Sequence, residues 1–274
     1  MTTPERNPLA LCIIGGGRVG GAFALALAAR GARVTLVSRR PAALRGRGIF
    51  GREIRVTREV PRAAAIYLLA VPDGRIAAVA KSLAARVNNS GAVFLHCSGA
   101  RPLSDLASLK KNGAIGALHP LCAIADARGG AAALPGSPLS FQGGSTGPQA
   151  ALKAAKRIAK SLGSELFRLP AGSDRLVYHA AAVLASNLPF ALWLEAEALL
   201  APMLGGGARA RRALAPLIAA AATNYGRRGR AGLTGPAARG DKKLIAAETA
   251  ALSGAARDDY ARLSARLLRG RFSR

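Results

Sequence analysis

Two groups of residues could do chemistry: a glycine turn near the N-terminus and three histidines placed at the ends of apolar runs. The turn is Gly15-Gly16-Gly17-Arg18-Val19-Gly20. It follows the apolar run Leu9 to Ile14 and precedes an alanine-rich stretch from Gly21 to Arg30. Strand, tight turn and helix form the context in which G-x-G-x-x-G binds a dinucleotide. Gly15 permits the turn, Gly17 lets the backbone approach a pyrophosphate, and Gly20 lets the helix pack against the strand. The anion then meets unpaired N–H groups at the helix N-terminus, with Arg18 and Val19 inside the binding turn. A second apolar run, Arg33 to Ser38, falls where a βαβ unit needs its next strand. Its end carries no carboxylate for a ribose 2′-OH and reads Ser38-Arg39-Arg40 instead. Guanidinium groups suit a 2′-phosphate, so NADP(H) is expected over NAD(H). The alternative is that Arg39 and Arg40 are solvated loop residues of a basic protein.

The histidines follow the same geometry. In open α/β sheets, ligands sit beyond the carboxyl ends of the strands. Val71-Pro72, His96 to Gly99 and His119-Pro120 all close predicted strands, which places Val71, Pro72, Ser98, Gly99 and His119 along the cofactor crevice. His179 begins the long helical stretch that follows. Reducing a C=O or C=N needs a hydride from the nicotinamide and a donor positioned by the protein. Histidine suits that role near neutral pH. His179 is the first candidate, with Asn187 two turns on and Ser98 at the strand end as further catalytic candidates. Against this, a histidine and an asparagine on an apolar helix can serve only to satisfy buried polar groups. His96 and His119 are expected to shape the cofactor pocket. No carboxylate spacing supports a metal site, and none is expected. Thr234 and Arg239, in the loop Leu233 to Gly240, read either as substrate-binding groups or as part of a Gly-Pro turn before the helix cap Asp241.

The elements that must position these residues alternate between short apolar runs and helical stretches up to about Leu169. This predicts an α/β fold: an N-terminal Rossmann-type parallel sheet domain over 1–170. Beyond Pro170 only helical patterns follow, predicting an all-helical substrate and dimerisation domain over 171–274. Ser173 to Leu204 reads as one long apolar helix interrupted near Pro189. Its run Ala180 to Leu194 is expected to be buried and too short to cross a bilayer.

Forty basic residues face fourteen acidic ones, a formal net charge of +26. Such a field attracts polyanions. The basic residues are scattered, however, aromatics make up 4% of the chain, and no nucleic-acid-binding signature is visible. A solvated basic surface is therefore favoured over a nucleic-acid partner. The three cysteines form no C-x-x-C pair, and no secretory signal is visible. A cytoplasmic protein with a small-molecule substrate and no membrane partner is expected.

Further runs occur in order: Ala70-Val71-Pro72-Asp73, His96-Cys97-Ser98-Gly99-Ala100, Leu118-His119-Pro120, Tyr178-His179-Ala180-Ala181-Ala182 through Ala185-Ser186-Asn187, and Leu233 to Asp241. With the glycine turn, they resemble the Rossmann-like proteins whose C-terminal half is domain of unknown function 2520. These lie in the wider superfamily of pyrroline-5-carboxylate reductase, ketopantoate reductase and 6-phosphogluconate dehydrogenase. The resemblance implies a nicotinamide cofactor and a homodimer formed through the helical half. The lysine–asparagine pair of the hydroxyacid dehydrogenase branch has no match; His179 stands on the corresponding helix. The expectation is an NADP(H)-dependent reductase or dehydrogenase acting on a small C=O or C=N substrate. The rivals are a non-catalytic NADP-binding regulator and, behind it, a basic nucleic-acid-associated protein.

Overall fold

A computed structural model describes residues 8–46 and 48–270. The chain divides into two compact units, 1–182 and 183–274.

The first unit is built on an eight-stranded sheet: β1 (Ala10–Ile14), β2 (Arg33–Val37), β3 (Ile54–Thr57), β4 (Ile66–Leu69), β5 (Ala92–His96), β6 (Gly113–Pro120), β7 (Leu139–Gly143) and β8 (Leu166–Arg168). Its order is β3-β2-β1-β4-β5-β6-β7-β8. Neighbouring strands are parallel except β6 and β7, which run antiparallel with Leu118 opposite Phe141. β1, β4 and β5 are near-continuous apolar runs because both faces of a parallel sheet are covered. Alternate residues feed two cores. Leu11, Ile13, Leu36, Leu68 and Leu95 pack on one face beneath helices α1 (Arg18–Ala28), α4 (Ala127–Ala133) and α5 (Pro148–Leu162). Cys12, Ile14, Tyr67, Leu69 and Phe94 pack on the other, against α3 (Ile76–Ala84) and a 3₁₀ turn over Leu103–Leu109. The short α2 (Pro41–Arg45) buries Leu44 in the first of these cores.

Several elements differ from the sequence reading. β3 and α2 were not expected: Ile-Arg-Val-Thr is a four-residue edge strand, too short for periodicity to show. Nor was α4 expected, over Ala127–Ala133 with its two glycines. Asp126 caps it by accepting from Gly129 N at 2.8 Å. Gly130 and Gly21 let α4 and α1 approach closely; a Cβ on Gly130 would lie 2.8 Å from the Ala22 methyl. The stretch Leu103–Leu109 is a 3₁₀ turn, in which Leu106 and Leu109, three apart, share the buried side.

Helix α6 (Arg175–Ser186) carries the chain out of the first unit. The second unit holds α7 (Pro189–Leu204), α8 (Gly207–Arg228), α9 (Gly235–Arg239), α10 (Lys242–Ala251) and α11 (Gly254–Arg269). The interruption expected near Pro189 falls at Asn187–Leu188. The expected loop Leu233 to Gly240 instead contains α9, whose first turn holds Pro236 with its φ preset for a helix. Asp241 caps α10 as expected, accepting from Leu244 N at 3.0 Å. α7 and α8 are tied by a bidentate pair between Arg211 and Glu197, at 2.8 and 2.9 Å. The expectation of a buried helix over Ala180–Leu194 is overturned: Leu184, Leu188, Phe190 and Leu194 are all more than half exposed. Nor is length a bar. Among the described residues, Arg175–Leu204 is long and apolar enough, by length and composition, to cross a membrane. The helix break divides that stretch.

Candidate cofactor crevice and imidazole cluster

The sheet order reverses direction between β1 and β4, and a crevice for ligands opens outside their carboxyl ends. The glycine turn fills this point. Gly15 has φ +110°, and a side chain there would strike the Ala70 carbonyl. A side chain on Gly20 would strike the Gly15 carbonyl oxygen. Gly15 N donates to Val37 O at 2.9 Å, tying the turn to β2, and Val71 packs beside it. Gly17 is different. Its φ of −79° is ordinary, and nothing lies within 4 Å of where its Cβ would stand. It is the N-cap of α1, offers no side-chain cap, and no acid occupies the first turn. The open space and the uncapped N–H groups together suit a pyrophosphate. Arg18 is exposed at the first helical position. At the end of β2, the Ser38 hydroxyl accepts from Arg40 N at 3.2 Å, and the Arg39 and Arg40 side chains are exposed. These residues would hold a dinucleotide.

Beyond β5, the chain turns through Ser98-Gly99-Ala100-Arg101. Ser98 is 8% exposed, and its hydroxyl is fully committed. It donates to Asp73 Oδ2 at 2.8 Å and accepts from Ala100 N and Arg101 N at 3.2 and 3.0 Å. This joins the ends of β4 and β5, next to Val71 and the exposed Pro72. The turn is held from the other side by Arg175, which is 6% exposed. Its guanidinium donates to Ser98 O, to Arg101 O at 2.7 Å and to Gln142 Oε1 at 3.3 Å. Arg175 was not singled out in the sequence. It is one arginine among many there, and only its burial marks it. A cavity of about 770 Å³ opens beside these residues, lined in part by Asp73, Arg101, Asp174 and Arg175. A larger opening of about 1040 Å³ lies at the opposite, amino-terminal edge of the strands, away from this chemistry.

Helix α6 brings Tyr178 and His179 to the same place. Tyr178 Oη lies 2.8 Å from His119 Nδ1. The His119 and His179 rings meet edge to face, with centroids 5.8 Å apart. Both crowd Gly99: a Cβ on that residue would lie 2.6 Å from His179 Nδ1 and 3.0 Å from His119 Nε2. His179 Nδ1 is buried without a hydrogen-bond partner. Burial, then His179 and Arg175, push the His119 pKa down to about 4, so its imidazole is neutral at pH 7. His96, fully buried under the same turn, has neither ring nitrogen paired. Burial, then the charge of Arg175, holds its pKa down to about 3. Gly99, His119 and His179 therefore converge, whereas Asn187 belongs to the second unit. There it is exposed, and its Oδ1 accepts from Ser186 Oγ at 2.9 Å. Among the described residues no group of three or more His, Cys, Asp or Glu is placed to hold a metal ion.

The architecture is that of a Rossmann-like fold followed by helices. Residues 2–120 match the Rossmann-like domain, and residues 143–267 match domain of unknown function 2520. The chain is thus a Rossmann-like protein carrying a C-terminal domain of unknown function 2520. No curated protein matches its sequence. Solved structures share the fold at low identity. A Bacteroides fragilis protein provisionally described as an NADP oxidoreductase is 22% identical at a TM-score of 0.72, covering 96% of this chain and 98% of its own. A Thermotoga maritima protein is 23% identical at 0.67, covering 95% and 98%. Pyrroline-5-carboxylate reductase from Coxiella burnetii is 15% identical at 0.64, covering 95% and 99%.

Proposed function

We propose that this chain is an NADP(H)-dependent oxidoreductase that moves a hydride to or from a small C=O or C=N substrate. The observation that carries the reading is the open, uncapped N-terminus of α1 above Gly17, with Arg18, Arg39 and Arg40 around it. The similarity to proteins described as an NADP oxidoreductase and a pyrroline-5-carboxylate reductase agrees with it. When bound, the nicotinamide supplies the hydride. The chain's own residues bind and orient. The turn at Gly15–Gly20 receives the pyrophosphate, and Arg39 and Arg40 face the 2′-phosphate. The imidazoles of His119 and His179 line the reacting end. Ser98, its hydroxyl already engaged with Asp73, shapes the turn rather than the chemistry.

The test is titration of the purified protein with NADPH and NADH, followed by nicotinamide fluorescence. Tighter binding of NADPH, with the preference lost on replacing Arg39 and Arg40 by alanine, supports the reading. Binding of neither cofactor overturns it; tighter binding of NADH overturns the choice of NADP.

We also infer that the protein works as a homodimer through its helical half. α7 exposes Phe190, Leu192, Leu194 and Met203 in a chain otherwise rich in surface charge. Such a face marks an interface. α7 carries Glu195 and Glu197 and no basic residue, so it is also where two strongly basic molecules repel least.

A further inference from the structure

Tyr178 and His119 share a hydrogen bond whose direction follows from the strengths of the two groups. Tyr178 Oη lies 2.8 Å from His119 Nδ1. The phenol has one proton to place, and a neutral imidazole nitrogen is a better acceptor than a phenol oxygen. A phenol is in turn a better donor than a neutral imidazole N–H. The favoured arrangement therefore has Tyr178 donating to Nδ1. Ser140, buried on β7 at 1% exposure, donates to the His119 carbonyl at 3.5 Å, at the limit of a useful bond.

A neutral imidazole that accepts at Nδ1 carries its proton on Nε2. The burial and neighbouring charge that depress the His119 pKa keep the ring neutral. Among the described residues Nε2 has no hydrogen-bond partner, and it borders the space over Gly99 that His179 Nδ1 also borders. We propose that Tyr178 is a positioning residue that locks His119 as its Nε2–H tautomer, making this N–H the hydrogen-bond donor to the carbonyl oxygen or imine nitrogen of the substrate. The identity of the acceptor rests on the oxidoreductase reading; the tautomer is a property of the chain alone. No proton leaves His119 in this role. The N–H polarises the acceptor, and its bond strengthens as negative charge builds there. The absence of a side chain on Gly99 is what leaves both nitrogens room.

The experiment is ¹⁵N-edited long-range NMR of the histidine rings at pH 7.5, with the His119 signals assigned by their loss in His119→Gln. The expected spectrum has an unprotonated Nδ1 and a protonated Nε2. Tyr178→Phe is expected to shift His119 to a mixture of tautomers, with the Nδ1–H form rising several-fold. If that variant fails to fold, the parent spectrum carries the test, because a donating Tyr178 leaves Nδ1 unprotonated there. A protonated Nδ1 in the parent protein, or a His119 spectrum unmoved in a folded Tyr178→Phe variant, overturns the proposal. NADPH titration of the same samples separates the two readings. Parent protein with the expected tautomer that binds no NADPH overturns the acceptor assignment together with the oxidoreductase reading.

Discussion

His96 and His119 hold pKa values well below the 6.5 of a free imidazole, near 3 and 4. The unfolded chain therefore binds more protons than the folded one below pH 6.5. Stability is complete above that value and is lost as pH falls toward 4 and 3. For His96 alone the loss at pH 5 is about 2 kcal/mol. Urea midpoints measured at pH 7.5 and pH 5 should fall with acid, and His96→Leu should flatten the trend. An unchanged slope in that variant would exclude His96 as its source. Arg175 makes a second prediction at this scale. Arg175→Met leaves the Ser98 and Arg101 carbonyls and Gln142 Oε1 without their donor, at a cost of about 2–4 kcal/mol. Arg175→Lys should recover less than half of it, because one ammonium does not reproduce the guanidinium fork. Equal stability of both variants with the parent would show that the turn holds itself. Neither His96's lack of partners nor Arg175's burial was legible in sequence. Both depend on which chain segments close over them.

At the scale of the element, the glycine turn was legible residue by residue. Gly15 and Gly20 are fixed by collisions with Ala70 and with Gly15 itself, so their type follows from strand–turn–helix geometry. Gly17 answers to an absent ligand rather than to the backbone. Gly17→Asp is thus expected to fold, since φ −79° suits any residue and aspartate is a good N-cap, adding up to about 1 kcal/mol of stability. Its carboxylate would repel the pyrophosphate, and NADPH affinity should fall at least about a hundredfold, equivalent to about 2.8 kcal/mol. A calorimetric titration beside a thermal melt reads both effects. Retained affinity would place the cofactor elsewhere. The elements missed in sequence, β3, α2, α4 and α9, are all seven residues or shorter. Each owes its existence to a neighbour or a cap rather than to its own periodicity.

At the scale of the whole molecule, the exposed face of α7 predicts self-association. Sedimentation equilibrium should give twice the chain mass, and Leu194→Asp should shift it toward the monomer. A monomeric parent, or association with lipid vesicles in place of dimerisation, would overturn the homodimer. The charge of +26 works in the same experiment: raising salt should strengthen a dimer held by apolar contact and weaken any nonspecific binding of polyanions.

The sequence by itself determined the order of strand and helix, the glycine turn at the switch point and the all-helical character of the second half. These are encoded locally, in apolar periodicity and in positions where only glycine fits. It also placed Gly99 and His119 at strand ends, where the sheet then held them. Only the tertiary structure decided that Tyr178 and His179 meet His119 over Gly99, that Ser98 spends its hydroxyl on Asp73, and that Arg175 is buried beneath the same turn. Those contacts join residues 25 to 80 positions apart in the chain. No local pattern specifies such a meeting. It follows from β5, β6 and α6 sharing one end of the sheet, where packing sets distance and burial, and with them which side chain is neutral, charged or free to act.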